Sequence, residues 1–181
     1  MAKVVGLDPS FSGFGVAILE NGKLFTKTIT SNKTGAQRLI EIREAVRYYV
    51  LYSNLVCIED FAFSRQNQAH HLGGLGWIIR VMMHEENIPF VVVGTSQVKK
   101  FATGKGNAKK PEVMLAVYKR WGREFTSDNE ADAFVLMKIA ETLVAGDWNQ
   151  LPKFQQQVIQ EILNAAGKGK RKARTGGAVA G

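Results

Sequence analysis

The chain has 181 residues, 45% of them apolar, 9% aromatic and 22% charged, a composition that suits one globular domain with a core needing no staples. No apolar run approaches the ~18–20 residues of a membrane span. MAKVVGLDPS lacks a signal-peptide layout, and the single cysteine, Cys57, excludes disulfide scaffolds and four-cysteine zinc sites, so the cytoplasm is the expected compartment. The net charge of +8 gathers in KGKRKAR (168–174) and in Lys99, Lys100, Lys105, Lys109 and Lys110. These two basic patches suit a polyanion partner as well as they suit a solvated face with a solubilising tail.

In chain order, VVGLD (4–8) reads as an apolar, β-branched strand. GFGVAILEN (13–21) follows a Pro-Ser-Phe-Ser turn, and KLFTKTIT (23–30) alternates apolar with polar residues. Asn21-Gly22 predicts a tight hairpin between the second and third strands. Leu39, Ile40, Ile42, Ala45, Val46 and Val50 recur at helical spacing between Thr34 and about Tyr52, and LVCI (55–58) is a buried strand ending on Glu59-Asp60. A helix is expected over about 67–86, weakened locally by Gly73, Gly74 and Gly76; with Trp77 these offer a surface for close packing, unless Trp77 belongs to the core. PFVVVG is the fifth strand, 95–101 a short helix, GKGNAKK a basic loop, and Pro111 opens a helix continuing to Trp121. Ser127-Asp128 cap DNEADAFVLMKIAETLVAG, and a last helix covers 152–163. Beyond Asn164 the Ala, Gly, Lys and Arg composition predicts a disordered basic tail over 165–181, leaving 1–164 as the folded domain. Hairpin-linked strands followed by strand–helix alternation give an α/β domain, a five-stranded mixed sheet flanked by helices.

Three carboxylates stand where charge is awkward: Asp8 and Glu59 at the ends of apolar strands, and Asp132 among Ala131, Ala133 and Phe134. Ligands of α/β sheets bind at the carboxyl ends of strands, so Asp8 and Glu59 can converge there. Clustered carboxylates raise one another's pKa, and a divalent cation resolves that conflict, oxygen-only donors favouring Mg2+ or Mn2+ over zinc. Singly, each has a plain alternative: Asp8 as a turn acceptor, Glu59 as a solvated strand end, Asp132 as a helix-surface residue. Asp128 and Asn129 share the helix face of Asp132, whereas Glu130 points away; Asp128 reads equally as a fourth ligand or as an N-terminal acid favoured by the helix dipole.

On these residues VVGLDPSFSGFGVAI resembles the first strand and turn of RuvC-type Holliday-junction resolvases, in the ribonuclease H-like superfamily. IEDFAFSRQNQAHHLG is similar to that family's second acidic strand and following loop, TSQVKKFATGKGNAKKPEV to its Gln-Val-Lys segment with a second lysine eleven residues on, and EADAFVLMKIA to its last-ligand helix. The likeness runs in order from about Val4 to Ala140. It implies a ribonuclease H-like fold and metal-dependent hydrolysis of a DNA phosphodiester in four-way junctions and other branched DNA. It further implies two Mg2+ ions per site (Mn2+ substituting), a homodimer matching the junction's two-fold symmetry, and neither membrane nor nucleotide cofactor. Carried over, Asp8, Glu59 and Asp132 are the metal ligands, and Lys99 and Lys110 the basic active-site residues, with Lys110 stabilising charge on the scissile phosphate. One departure is Asn129, where the family has Asp or His, which leaves the fourth ligand open between Asn129 and Asp128. The short chain is similar to bacteriophage-encoded relatives.

Phe61 and Phe63 follow Glu59 in a loop that turns polar (Ser64, Arg65, Gln66, Asn67). Aromatics there stack on unpaired bases or enter the core; alternation after the strand puts Phe63 outside, as a DNA contact beside Arg65, Lys99, Lys105, Lys109 and Lys110. His70 and His71 are adjacent, which disfavours a shared metal site. The competing reading is a non-catalytic branched-DNA-binding protein using the same basic patches, with no use for three convergent carboxylates. A kinase-like phosphotransferase would also place a strand-end Asp in a Gly-rich turn, but no Walker A sequence is present.

Overall fold

The computed structural model describes residues 2–10, 13–60 and 69–175, with side chains described outside 69–72 and 167–175. Strands β1 (Lys3–Asp8), β2 (Phe14–Glu20) and β3 (Lys23–Ile29) form an antiparallel meander. Asn21 and Gly22 close its second hairpin at φ 51° and 74°, the left-handed pair whose twist suits a two-residue turn. Helix α1 (Gly35–Val50), strand β4 (Leu55–Glu59), helix α2 (Ala69–Glu85) and strand β5 (Phe90–Val93) follow. Four helices complete the chain: α3 (Thr95–Thr103), α4 (Lys110–Trp121), α5 (Asp128–Ala145) and α6 (Lys153–Thr175). The sheet order is β3-β2-β1-β4-β5, with β1, β4 and β5 parallel. β1 is therefore central, antiparallel to one neighbour and parallel to the other. This is the expected five-stranded mixed sheet.

Alternation along β1 sends side chains to two cores. Val5 and Leu7 join Val16, Ile42, Val46, Ile79 and Met83 beneath α1 and α2. Val4 joins Ala17, Cys57, Phe101, Phe134, Met137 and Ile159 beneath α3 to α6. On that second face α5 lies on the sheet with no side chain between them at two points. A Cβ on Gly6 would stand 2.0 Å from the Ala133 carbonyl oxygen and 2.3 Å from the Met137 nitrogen; one on Gly15 would stand 2.2 Å from the Asn129 carbonyl oxygen. Any larger residue at either position pushes the helix away.

The first turn of α5 is also clipped to the edge strand. Thr26 Oγ1 donates to Glu130 Oε2 at 2.7 Å, and Thr28 Oγ1 to Glu130 Oε1 at 2.9 Å. Ser127 holds the N-cap position as expected, yet makes no side-chain cap; its hydroxyl meets that of Thr28 at 3.2 Å. The last helix departs from expectation. α6 continues past Asn164 to Thr175, through Ala165, Ala166 and a run of lysines and arginines that favour helix, although Gly167 and Gly169 oppose it. No helix among the described residues is long and apolar enough to cross a membrane.

Candidate active site

The apolar run of β1 ends on Asp8, which is only 5% exposed. Parallel pairing of Leu7 with Ile58 sets Asp8 beside Glu59, the last residue of β4. The two carboxyl groups share a hydrogen bond, and Thr95, at the start of α3, hydrogen-bonds Glu59 as well. α5, seated on Gly6 and Gly15, brings Asp132 to the same end of the sheet.

The electrostatics show how closely these groups meet. Burial, then the Glu59 charge and hydrogen bond, then the Asp132 charge hold the Asp8 carboxyl well above the usual range, against a smaller pull from Lys110. Burial also lifts Glu59, while its bonds to Asp8 and Thr95 and the charge of Lys99 oppose. Asp132 is pushed up to about 7, by burial first and the Glu59 charge second, with Lys110 and Lys99 drawing it back. Of the two, Asp8 is the more deeply buried and the more strongly raised.

Two lysines rim the cluster. Lys99 on α3 acts on both Glu59 and Asp132. Lys110, the first residue of α4, is ion-paired through Nζ with the Asp128 carboxylate; the pair raises the lysine and lowers the aspartate. Asn129 is buried, with its Nδ2 turned toward Gly13 and its carbonyl against Gly15. Lys105 and Lys109 are exposed around the α3–α4 loop, where the Lys109 amide donates to Glu112 Oε2 at 2.7 Å. Phe63 and Arg65 lie outside the described residues, as do the side chains of His70 and His71. Trp77 is 60% exposed, which removes the core alternative.

Among the described residues no set of three or more His, Cys, Asp or Glu closes into a metal-holding group. The carboxylates are instead engaged locally, Asp8 with Glu59 and Asp128 with Lys110. As chemistry the donor set fits a hard divalent cation: oxygen donors only, buried, mutually repelling, with ammonium groups at the rim for an anionic substrate.

Several contributors escape a reading of the sequence. Thr95 is an unremarked helix-opening residue, and Glu130 reads as a solvated acid until β3 is laid beside it. Gly6 and Gly15 did carry a signal, since glycine inside an apolar strand marks close backbone approach.

The chain is similar to known proteins both in sequence and in fold. The family model for the crossover junction endodeoxyribonuclease RuvC matches residues 4–137. The RuvC protein of Carboxydothermus hydrogenoformans is 27% identical over 145 residues, covering 74% of this chain and 92% of the relative. That of Nocardia farcinica is 28% identical over 150 residues, covering 76% and 78%. In fold, the chain is similar to Thermus thermophilus RuvC in complex with a Holliday junction substrate, with a TM-score of 0.62, 24% identity and coverage of 76% of this chain and 91% of that one. A second Thermus thermophilus RuvC structure gives 0.60 at 21% identity, covering 80% and 96%.

Proposed function

Since the chain belongs to the RuvC family of crossover junction endodeoxyribonucleases, we propose that it resolves four-way DNA junctions by hydrolysing phosphodiester bonds at the Asp8–Glu59–Asp132 cluster. The observation that carries this is the convergence of the three buried carboxyl groups at the carboxyl end of the sheet, rimmed by Lys99 and Lys110. Two Mg2+ ions, with Mn2+ able to substitute, are the proposed cofactor; when bound they polarise the scissile phosphate and lower the pKa of the attacking water. Asp8, Glu59 and Asp132 would hold them, with Asp128 or Asn129 completing the set.

The chain's own groups do the rest. Burial and the nearby charges of Glu59 and Asp132 disfavour the ionised form of Asp8, a cost that a bound divalent cation would offset. Lys110 exchanges its carboxylate partner for a phosphate oxygen, so its charge is held ready at the rim until DNA arrives. Burial of the carboxylates keeps bulk water from screening these charges. Lys99, Lys105 and Lys109 supply sequence-independent phosphate contacts, and Phe63 and Arg65 remain proposed contacts at the branch point. A homodimer is proposed because a two-fold junction needs two incisions. Trp77 and Val81, exposed one turn apart on α2, offer the apolar surface for it. The cytoplasm as compartment and a bacteriophage origin belong to the same reading.

The deciding experiment incubates labelled four-way junctions, forks and linear duplex with the protein, with Mg2+ or with EDTA. Paired symmetric incisions only with Mg2+ support the proposal. Undiminished cutting in EDTA, or junction binding without cutting in any divalent cation, ends it.

A further inference from the structure

At the end of the sheet opposite the carboxylates lies an open groove of about 760 Å³, bounded by the β2–β3 hairpin and the end of α1. Lys23, Phe25 and Lys27 alternate onto the face of β3 that looks toward α1, because Phe25 stacks on Tyr49 at 5.5 Å. Tyr48 meets Tyr49 edge-on at 5.3 Å, so the rings form a braced platform. Phe25, Tyr48 and Tyr52 are nonetheless 45%, 76% and 92% exposed. Tyr52 also takes the left-handed conformation, φ 62°, just after α1, where glycine or asparagine is favoured. A bulky ring held there, in solvent, is not explained by packing.

The groove's lining is mainly basic. Lys3 and Lys23 line it and Lys27 follows along β3, with Glu20 as the one carboxylate of the lining and Arg47, near Tyr52, held by Glu86. Lys3 Nζ donates to the Leu51 carbonyl at 2.9 Å, which fixes an ammonium beside Tyr52. Ring faces flanked by ammonium groups complement a strand of unpaired bases on a phosphate backbone. A protein partner would have less use for three lysines around the rings.

We propose that this groove is a second nucleic-acid site, taking single-stranded DNA. Bases stack on Phe25, Tyr48 and Tyr52, and backbone phosphates lie along Lys3, Lys23 and Lys27. β1 separates Lys3 from Asp8 by about 17 Å of strand, so the groove holds a strand that the cluster is not cutting. The inference goes beyond the nuclease reading and rests on it only in taking DNA as the ligand.

The test is fluorescence anisotropy with labelled oligothymidylate and with blunt linear duplex, in EDTA so that cleavage plays no part. Tyr48→Ala/Tyr52→Gly should weaken oligothymidylate binding about ten-fold and leave duplex binding unchanged, while Tyr52→Phe keeps full affinity. The glycine relieves the left-handed backbone, so loss of fold is not expected from it. Photo-crosslinking of a bromodeoxyuridine-substituted strand should place adducts on Tyr48 or Tyr52. Unchanged oligothymidylate affinity, equal loss on both DNAs, or adducts only near the carboxylates would overturn the proposal. So would intact single-strand binding with a fall in sedimenting mass, which would make the groove a protein contact. A protein that binds oligothymidylate through these tyrosines yet cuts no junction would sustain the second site while the nuclease reading falls.

Discussion

Three carboxyl groups buried side by side leave a pH signature on stability, and its sign follows from which state binds more protons. Between the unfolded and folded pKa of a raised acid the folded protein holds more protons, so stability falls as pH rises through that interval. For Asp132 the interval runs from 3.8 to about 7, and Asp8 and Glu59 shift the same way. EDTA-treated protein should therefore melt several degrees higher near pH 5 than near pH 8, and Asp132→Asn should shrink that gap by raising the Tm at the higher pH. Differential scanning fluorimetry reads both. In cleavage, Asp8→Asn, Glu59→Gln and Asp132→Asn should each fall to background while junction affinity in EDTA is kept, because binding rests on basic residues. Lys110→Ala should slow single-turnover cleavage about 100-fold, as loss of a transition-state contact does, with a much smaller loss of affinity. Asp128→Ala frees Lys110 from its partner; if the proposed Mg2+ site has a fourth protein ligand, the Mg2+ requirement should rise in whichever of Asp128→Ala and Asn129→Ala removes it. The three carboxylates were legible because each ends or interrupts an apolar segment. The Lys110–Asp128 pair and the burial of Asn129 were not, since both depend on how α4 and α5 meet the sheet.

At the scale of elements, α5 is held by two unlike devices, and each can be removed alone. Gly6→Ala places a methyl group against the backbone of Ala133 and Met137, which cannot yield as a flexible side chain would. It should cost about 3 kcal/mol in urea denaturation and, by displacing Asp132, more activity than that stability loss explains. Glu130→Ala removes the acceptor of Thr26 and Thr28 and should cost about 1–3 kcal/mol, with cleavage reduced less. Strand and helix periodicity made nearly every element readable, and the Asn21-Gly22 hairpin followed from turn chemistry alone. The reach of α6 did not: helix formers and charge favour different readings of the same residues, and low hydrophobicity argued for disorder where intrinsic propensity favours helix.

Over the whole molecule, charge is divided between a carboxylate cluster at one sheet end and basic residues around it and along the C-terminal segment. Deleting residues 165–181 removes KGKRKAR and should weaken binding to junction and duplex alike, flattening the salt dependence by up to about four units of slope. Junction selectivity and the cleavage rate at saturation should survive. A salt titration of both DNAs with full-length and shortened protein checks this; selective loss of junction preference would mean that the segment reads DNA shape. The placement of β1 reaches further still. It is bonded to strands on both edges, feeds both cores, and meets α5 backbone to backbone at Gly6. Opening it dismantles both layers at once, so its amide hydrogens should exchange only through global unfolding, while those of edge strand β3 escape by local fraying. Asp8 thus sits on the strand that opens last, and destabilising mutations remote from the cluster and from the α5–sheet contact should lower the fraction of active molecules without changing the turnover of those that remain folded.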